Sequence, residues 1–253
     1  MTSIEQIWER NWQQVRSSPE AILYNRFADE AYGALREFIG SGDGRILEAG
    51  CGTGRFCCRL ASDLAGSEIL GLDISPQALA IARNLKTTKQ LANVAFVHGD
   101  LFHLPFPDNI FDVVFNEGVI EHFRLDGSPS YKDAVAEMLR VTRRGGRIVV
   151  AVPNWHNYPH TLYKWALAKL DRPFRYGYEK SFTREELQEL FVQFGLQNLE
   201  FSGFYSAHGL YRLSGRGVRR VYRYLGKIPD ILSDSAPFQH KYGFELVIKG
   251  EKP

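Results

Sequence analysis

The run Ile46-Leu47-Glu48-Ala49-Gly50-Cys51-Gly52-Thr53-Gly54 constrains this chain more than any other segment. A short apolar strand enters three glycines spaced G-x-G-x-G, and Arg55 to Leu64 then reads as a helix. Glycine lets backbone pass close to a ligand with no Cβ in the way, and a helix start offers N–H groups without intrahelical partners. The spacing is not the G-x-G-x-x-G of dinucleotide sites, and the G-K-[ST] ending of a phosphate loop is missing. Such a turn suits a ligand that lacks a pyrophosphate and carries a positively charged amino acid.

Around this turn, strands and helices alternate. Ile69–Leu72, Val94–Val97, Phe111–Phe115 and Ile148–Val152 read as strands, the last led in by Gly145-Gly146. A helix from Pro76 to about Leu85 starts on a proline, whose missing N–H costs little in a first turn. Ser130 with Asp133, and Thr183 with Glu186, are capping pairs that open two more helices. The pattern predicts an α/β fold with a mostly parallel sheet covered on both faces. Before it, residues 1–43 read as a helical cap, with a first stretch carrying Ile4, Ile7, Trp8, Trp12 and Val15 at partial 3–4 spacing and a second, single helix from about Ala21 to Ile39. No interdomain linker is visible, so the chain reads as one domain: a core over 44–152, acceptor-side elements and insertions over 153–240, and a final strand over 241–253.

Two acids follow the glycine turn at telling distances. Asp73 closes the second strand, 23 residues after Gly50, where an acid in this topology reaches a ribose hydroxyl pair. Asp100 follows the third strand 27 residues later, and could accept from an exocyclic amino group of adenine. With LEAGCGTG, LDIS, GDLFHLPFPDNIFDVVFNEGVIEHF and RVTRRGGRIVVAVPN in this order, the segment from Ile46 to Val152 resembles the class I S-adenosylmethionine (SAM)-dependent methyltransferases of the small-molecule type. The resemblance implies a Rossmann-like seven-stranded sheet whose last strand, Phe244–Ile248, runs antiparallel. It implies Glu48, Gly50, Cys51, Gly52 and Gly54 around the methionine part of the cofactor and Asp73 with Ile74 at the ribose. Asp100 and Leu101 are implied at adenine, and Asn116, Glu117 and Gly118 beside the sulfonium.

Glu121-His122-Phe123 follows the fourth strand, near where the methyl group would be presented. A histidine titrating near neutral pH suits a general base for a hydroxyl acceptor, which makes His122 the catalytic candidate. Alignment alone can supply several kcal/mol of a methyl displacement, so positioning is expected to dominate. The acceptor is expected to be a small molecule: a metabolite, lipid or sugar-linked intermediate. Eight aromatics between Trp155 and Phe182 either line its pocket or pack a helix over Thr161–Leu170.

Six basic residues and no acid lie between Tyr205 and Pro229. With a net charge of +2, the remainder sums to 2 − 6 = −4, so charge is segregated. The 212–227 stretch reads as a basic amphipathic helix: a solvated basic face, a cover for the pocket or a partner's contact, or a site for an acidic or lipid-linked acceptor or peripheral membrane contact. The small overall charge gives no reason to expect a nucleic-acid partner, and Asn116-Glu117-Gly118 differs from the Asn-Pro-Pro-Tyr motif of many nucleic-acid amino methylators. An RNA or protein methyltransferase and a non-catalytic SAM-binding scaffold are the alternatives. Scattered histidines predict no metal site; Cys51 reads as a small filler in the glycine loop and Cys57 and Cys58 as helix-packing residues, which fits a reducing cytoplasm better than a disulfide framework. The N-terminus lacks the apolar run of a signal peptide, and no stretch approaches the length of a membrane span.

Overall fold

The structure, a computed structural model, describes residues 4–13, 18–172, 174, 176–205 and 236–253. The basic stretch over 212–227 lies outside the described residues. One sheet takes strands β1 (Arg45–Ala49), β2 (Glu68–Asp73), β3 (Val94–His98), β4 (Phe111–Glu117), β5 (Thr142–Pro153), β6 (Gln197–Phe204) and β7 (Glu245–Glu251). Their spatial order is β3-β2-β1-β4-β5-β7-β6. The β1–β2, β2–β3, β1–β4 and β4–β5 pairs are parallel, whereas β7 runs antiparallel to both β5 and β6. The seven-stranded, mostly parallel sheet with an antiparallel last strand is therefore observed.

Alternate residues of the central strands feed two cores. Leu47, Val114, Ile148, Val150 and Val152 face one cluster, with residues of helices α6 (Tyr131–Val141) and α8 (Arg184–Gln193). Ile46, Val113, Phe115, Val149 and Ala151 face the other, under α3 (Arg26–Arg36), α4 (Arg55–Asp63) and α5 (Pro76–Thr88). Residues 148–152 are wholly buried, which explains why β5 reads as an unbroken apolar run rather than an alternating one. Burial of each valine or isoleucine side chain in this run contributes about 1.5–3 kcal/mol.

Both capping boxes form: Ser130 N–H donates to Asp133 Oδ2 at 2.7 Å, and Thr183 N–H to Glu186 Oε2 at 2.9 Å. The single helix expected from Ala21 to Ile39 is two, α2 (Pro19–Leu23) and α3, because Asn25 turns outward and its side chain caps Ala28 N–H at 3.1 Å. β5 is also longer than expected, running straight on from α6. Its glycine segment pairs with the chain end through Gly145 N–H to Lys252 O, 2.8 Å, and Lys252 N–H to Gly146 O, 2.8 Å. No helix among the described residues is long and apolar enough to cross a membrane.

Candidate active site

The carboxyl ends of the parallel strands meet the loops that carry the expected site. After β1, Gly50, Gly52 and Gly54 have φ of +89°, +50° and +71°. A Cβ on Gly50 would stand 2.5 Å from Val119 Cγ2, and one on Gly54 2.7 Å from the Phe96 ring, so these turns need glycine for conformation and for space. As the residue that caps α4, Gly54 has no side chain to satisfy the helix N-terminus. Glu48 does so from the strand: its Oε2 accepts from Cys57 N–H at 3.1 Å and Cys57 Sγ–H at 2.9 Å. Burial pushes the Glu48 carboxyl up to about 8, and pushes the Cys51 and Cys57 thiols up too. All three cysteines are buried and free.

Asp73, at the end of β2, fastens the glycine loop. Its Oδ2 accepts from Gly52 N–H and its Oδ1 from Ser75 N–H, both at 2.8 Å, and burial raises its pKa. Ser75 caps α5 at Ala78 N–H and donates to Glu9 Oε1 at 2.6 Å, tying helix α1 (Ile4–Gln13) across the sheet end. Trp12 of α1 stacks on Trp8, which stacks in turn on Tyr176, with ring centroids 5.4 Å apart in each pair. Beyond β3, Asp100 Oδ1 accepts from Phe102 N–H at 2.9 Å.

Past β4 the wall becomes acidic. Glu117 pairs with Arg55 at 3.1 Å, and Gly118 turns with φ of +70°. Glu121 is 2% exposed; burial and then the charge of Glu179 hold its carboxyl well above the ordinary range. His122 donates from Nδ1 to Tyr178 O at 2.7 Å, a tautomer assigned from that carbonyl, and burial lowers its pKa. With Nδ1–H on that carbonyl, the lone pair of an uncharged His122 ring lies on Nε2. Glu179 receives His160 Nε2 at 2.9 Å and Lys164 Nζ at 3.2 Å; against the upward push of burial, these hold it at about 2. Glu245 opens β7, and because β7 is antiparallel its first residue lies opposite Pro153, at the carboxyl end of β5.

These groups surround one cavity of about 770 Å³, within the 300–1,000 Å³ usual for small-ligand sites. It is lined by Glu48, Gly50, Cys51, Gly52, Asp73, Ile74, Asp100, Leu101, Glu117, Gly118 and His122. Two expected residues stand behind the lining: Gly54 packs on Phe96, and Asn116 is fully buried with its Nδ2 on Ala49 O at 2.8 Å. Glu121, beside His122 in sequence, also lines it, as do Trp8, Trp12, Arg55, Glu179 and Glu245, which the sequence does not single out as site residues. A signal for Glu245 exists in an acid opening an otherwise apolar strand; for the tryptophans, a helix stripe gives none. The aromatic segment divides: Tyr176 lines this cavity, while Trp155, Tyr158 and Trp165 border a separate open groove along α7 (Tyr158–Lys169).

The family model for a methyltransferase domain matches residues 47–150. The chain is 31% identical to a demethylmenaquinone methyltransferase of Bacillus licheniformis over 213 residues, covering 77% of this chain and 87% of the relative. It is 31% identical to a demethylmenaquinone methyltransferase of Lactiplantibacillus plantarum over 177 residues, covering 63% and 73% respectively. The crystal structure of a SAM-dependent methyltransferase from Thermotoga maritima superposes with a TM-score of 0.66 at 20% identity, covering 99% of this chain and 100% of that one. Sheet order, glycine turn and relatives agree: the chain belongs to the class I SAM-dependent methyltransferases.

Proposed function

We propose that the protein moves the methyl group of SAM to a small-molecule acceptor that enters the same cavity from the β4–β7 side. The observation that carries this reading is the continuity of one cavity from Asp100 to Glu245. Strands stand about 4.8 Å apart, so β3 to β4 spans roughly 14 Å and β4 to β7 roughly a further 10 Å. The first length suits the cofactor, the second an acceptor.

The residues fit the cofactor. The glycine turn leaves a cradle that side chains would fill, and each Asp73 oxygen accepts one backbone N–H and keeps lone-pair capacity for a ribose hydroxyl. Glu48, Gly50, Cys51 and Gly52 border the methionine part, with Gly54 supporting the turn. Ile74 lies beside the ribose, Asp100 and Leu101 hold adenine, and Glu117 and Gly118 border the sulfonium, with Asn116 fixing their strand from behind. When bound, SAM supplies a methyl group on a sulfonium, a leaving group that needs no acid. His122 Nε2 takes the acceptor's O–H or N–H proton as the new bond to the methyl carbon forms, and its Nδ1–H···O bond to Tyr178 keeps the ring aligned. Trp8, Tyr176 and Phe244 supply an apolar wall suited to a ring-bearing or lipid-like acceptor; the relatives' name specifies such an acceptor for those proteins. Peripheral membrane contact through 212–227 would bring the cavity to a lipid-linked acceptor.

Calorimetric titration with S-adenosylhomocysteine tests the cofactor half, with one saturable site expected and absence of binding at millimolar ligand refuting it. Transfer of labelled methyl from SAM to a panel of phenols, amines and quinols tests the rest.

A further inference from the structure

Among the described residues, the acceptor end of the cavity holds more carboxyls than cations. Glu117 is matched by Arg55, and Glu179 by Lys164 with His160. Among the described residues, Glu121 and Glu245 have no such match. Both are buried, 2% and 4% exposed, both line the cavity, and each has an Oε2 with no hydrogen-bond partner among the described residues. The nearest basic group to Glu121, His122 Nε2, stands 3.6 Å from its Oε1, beyond hydrogen-bond length. An unpartnered buried carboxyl oxygen costs about 1–3 kcal/mol, more if charged, so two such side chains lining one cavity call for a ligand that completes them.

The two acids come from separate elements. Glu121 sits on the 3₁₀ turn Ile120–His122, with Oε1 3.8 Å from where a Cβ on Gly118 would lie, and Glu245 on the first residue of β7. The same end carries aromatic faces, Trp8 stacked on Tyr176 and set edge-on to His122, with Phe244 next to Glu245. Carboxylates together with aromatic faces are the surroundings that favour an ammonium group: the acids accept its N–H bonds, and the ring quadrupoles attract its charge.

We propose that Glu121 and Glu245 form the recognition site for a protonated amine on the methyl acceptor. Resting on the methyltransferase reading above, the proposal adds the acceptor's class: a ring-bearing amine. An acidic group finds no free cation here among the described residues, since Arg55 already pairs with Glu117 and Lys164 with Glu179.

The test uses three probes that share one ring and differ in the head: phenethylamine, 2-phenylethanol and phenylacetate. Each is titrated calorimetrically into protein saturated with S-adenosylhomocysteine, for the wild type, Glu245→Gln and Glu121→Gln. The amine is expected to bind the wild type about ten-fold more tightly than the alcohol, and the carboxylate not at all up to about 10 mM. In each variant that still binds S-adenosylhomocysteine, the amine's advantage should fall to about two-fold or less. If neither variant binds it, the wild-type ranking decides alone. Equal or tighter binding of the alcohol or carboxylate overturns the proposal, as does an undiminished amine preference in the variants. Silence from all three probes overturns it too. Any of these with S-adenosylhomocysteine binding intact leaves the methyltransferase reading standing, whereas loss of that binding in the wild type refutes the reading itself.

Discussion

Replacing Glu48 by glutamine keeps an acceptor for Cys57 N–H but removes a carboxyl that burial pushes from 4.5 to about 8. A group whose folded pKa exceeds its unfolded one contributes stability that is complete below pH 4.5 and is lost as pH rises through about 8. At about 1.4 kcal/mol per pH unit, the part lost between pH 5.5 and 9 is on the order of 3 kcal/mol. Glutamine cannot ionise, so Glu48→Gln should escape that loss, while giving up about 1 kcal/mol at acid pH for its less suitable amide. Urea unfolding at pH 5.5 and 9, in reductant and without cofactor, measures both. Other titrating groups are common to the two proteins and cancel in the difference. The wild type should lose about 3 kcal/mol more than the variant across this range. Parallel losses, agreeing within about 0.5 kcal/mol, would show that Glu48 is not held protonated by burial.

Asp73→Ala removes the acceptor of Gly52 and Ser75 N–H and should weaken S-adenosylhomocysteine binding by about 1–3 kcal/mol in calorimetry; unchanged affinity would mean the ribose is held elsewhere. Gly54→Ala forces a Cβ into Phe96 and Ala82 at a φ of +71° and should cost about 2–3 kcal/mol in urea unfolding, an expectation defeated by a loss below about 0.5 kcal/mol. Asn154→Ala deletes two 3.0 Å bonds to Lys241 O and Gly243 O and one accepted from His156 N–H. Faster hydrogen exchange over 241–245 should follow, with a stability loss of about 2–3 kcal/mol; unaltered exchange there would rule out Asn154 as the anchor of the segment before Glu245.

Much of the core was legible because its signals are local. A glycine turn between a strand and a helix, capping pairs at Ser130 and Thr183, and an unbroken apolar run at 148–152 each state their element within a few residues. Asp73 and Asp100 were readable for the same reason, as acids at fixed distances behind strand ends. The break between α2 and α3 was less so: the apolar stripe continues past Asn25, and only the cap at Ala28 shows that the helix restarts. Gly54 and Asn116 belong to the motif as letters, yet their contacts are with Phe96 and Ala49 behind the cavity wall.

What the chain states by itself, then, is the order of its elements, the glycine turn and the acids that follow it, since each is written in short-range spacing. Only the tertiary structure decided which distant residues share the second half of the cavity. Glu245 reaches the carboxyl end of the sheet because β7 enters antiparallel between β5 and β6, and α1 crosses the cavity because Glu9 finds Ser75, 66 positions away. The physical reason is that such contacts arise from sheet order and strand direction, which bring together side chains that no local periodicity relates.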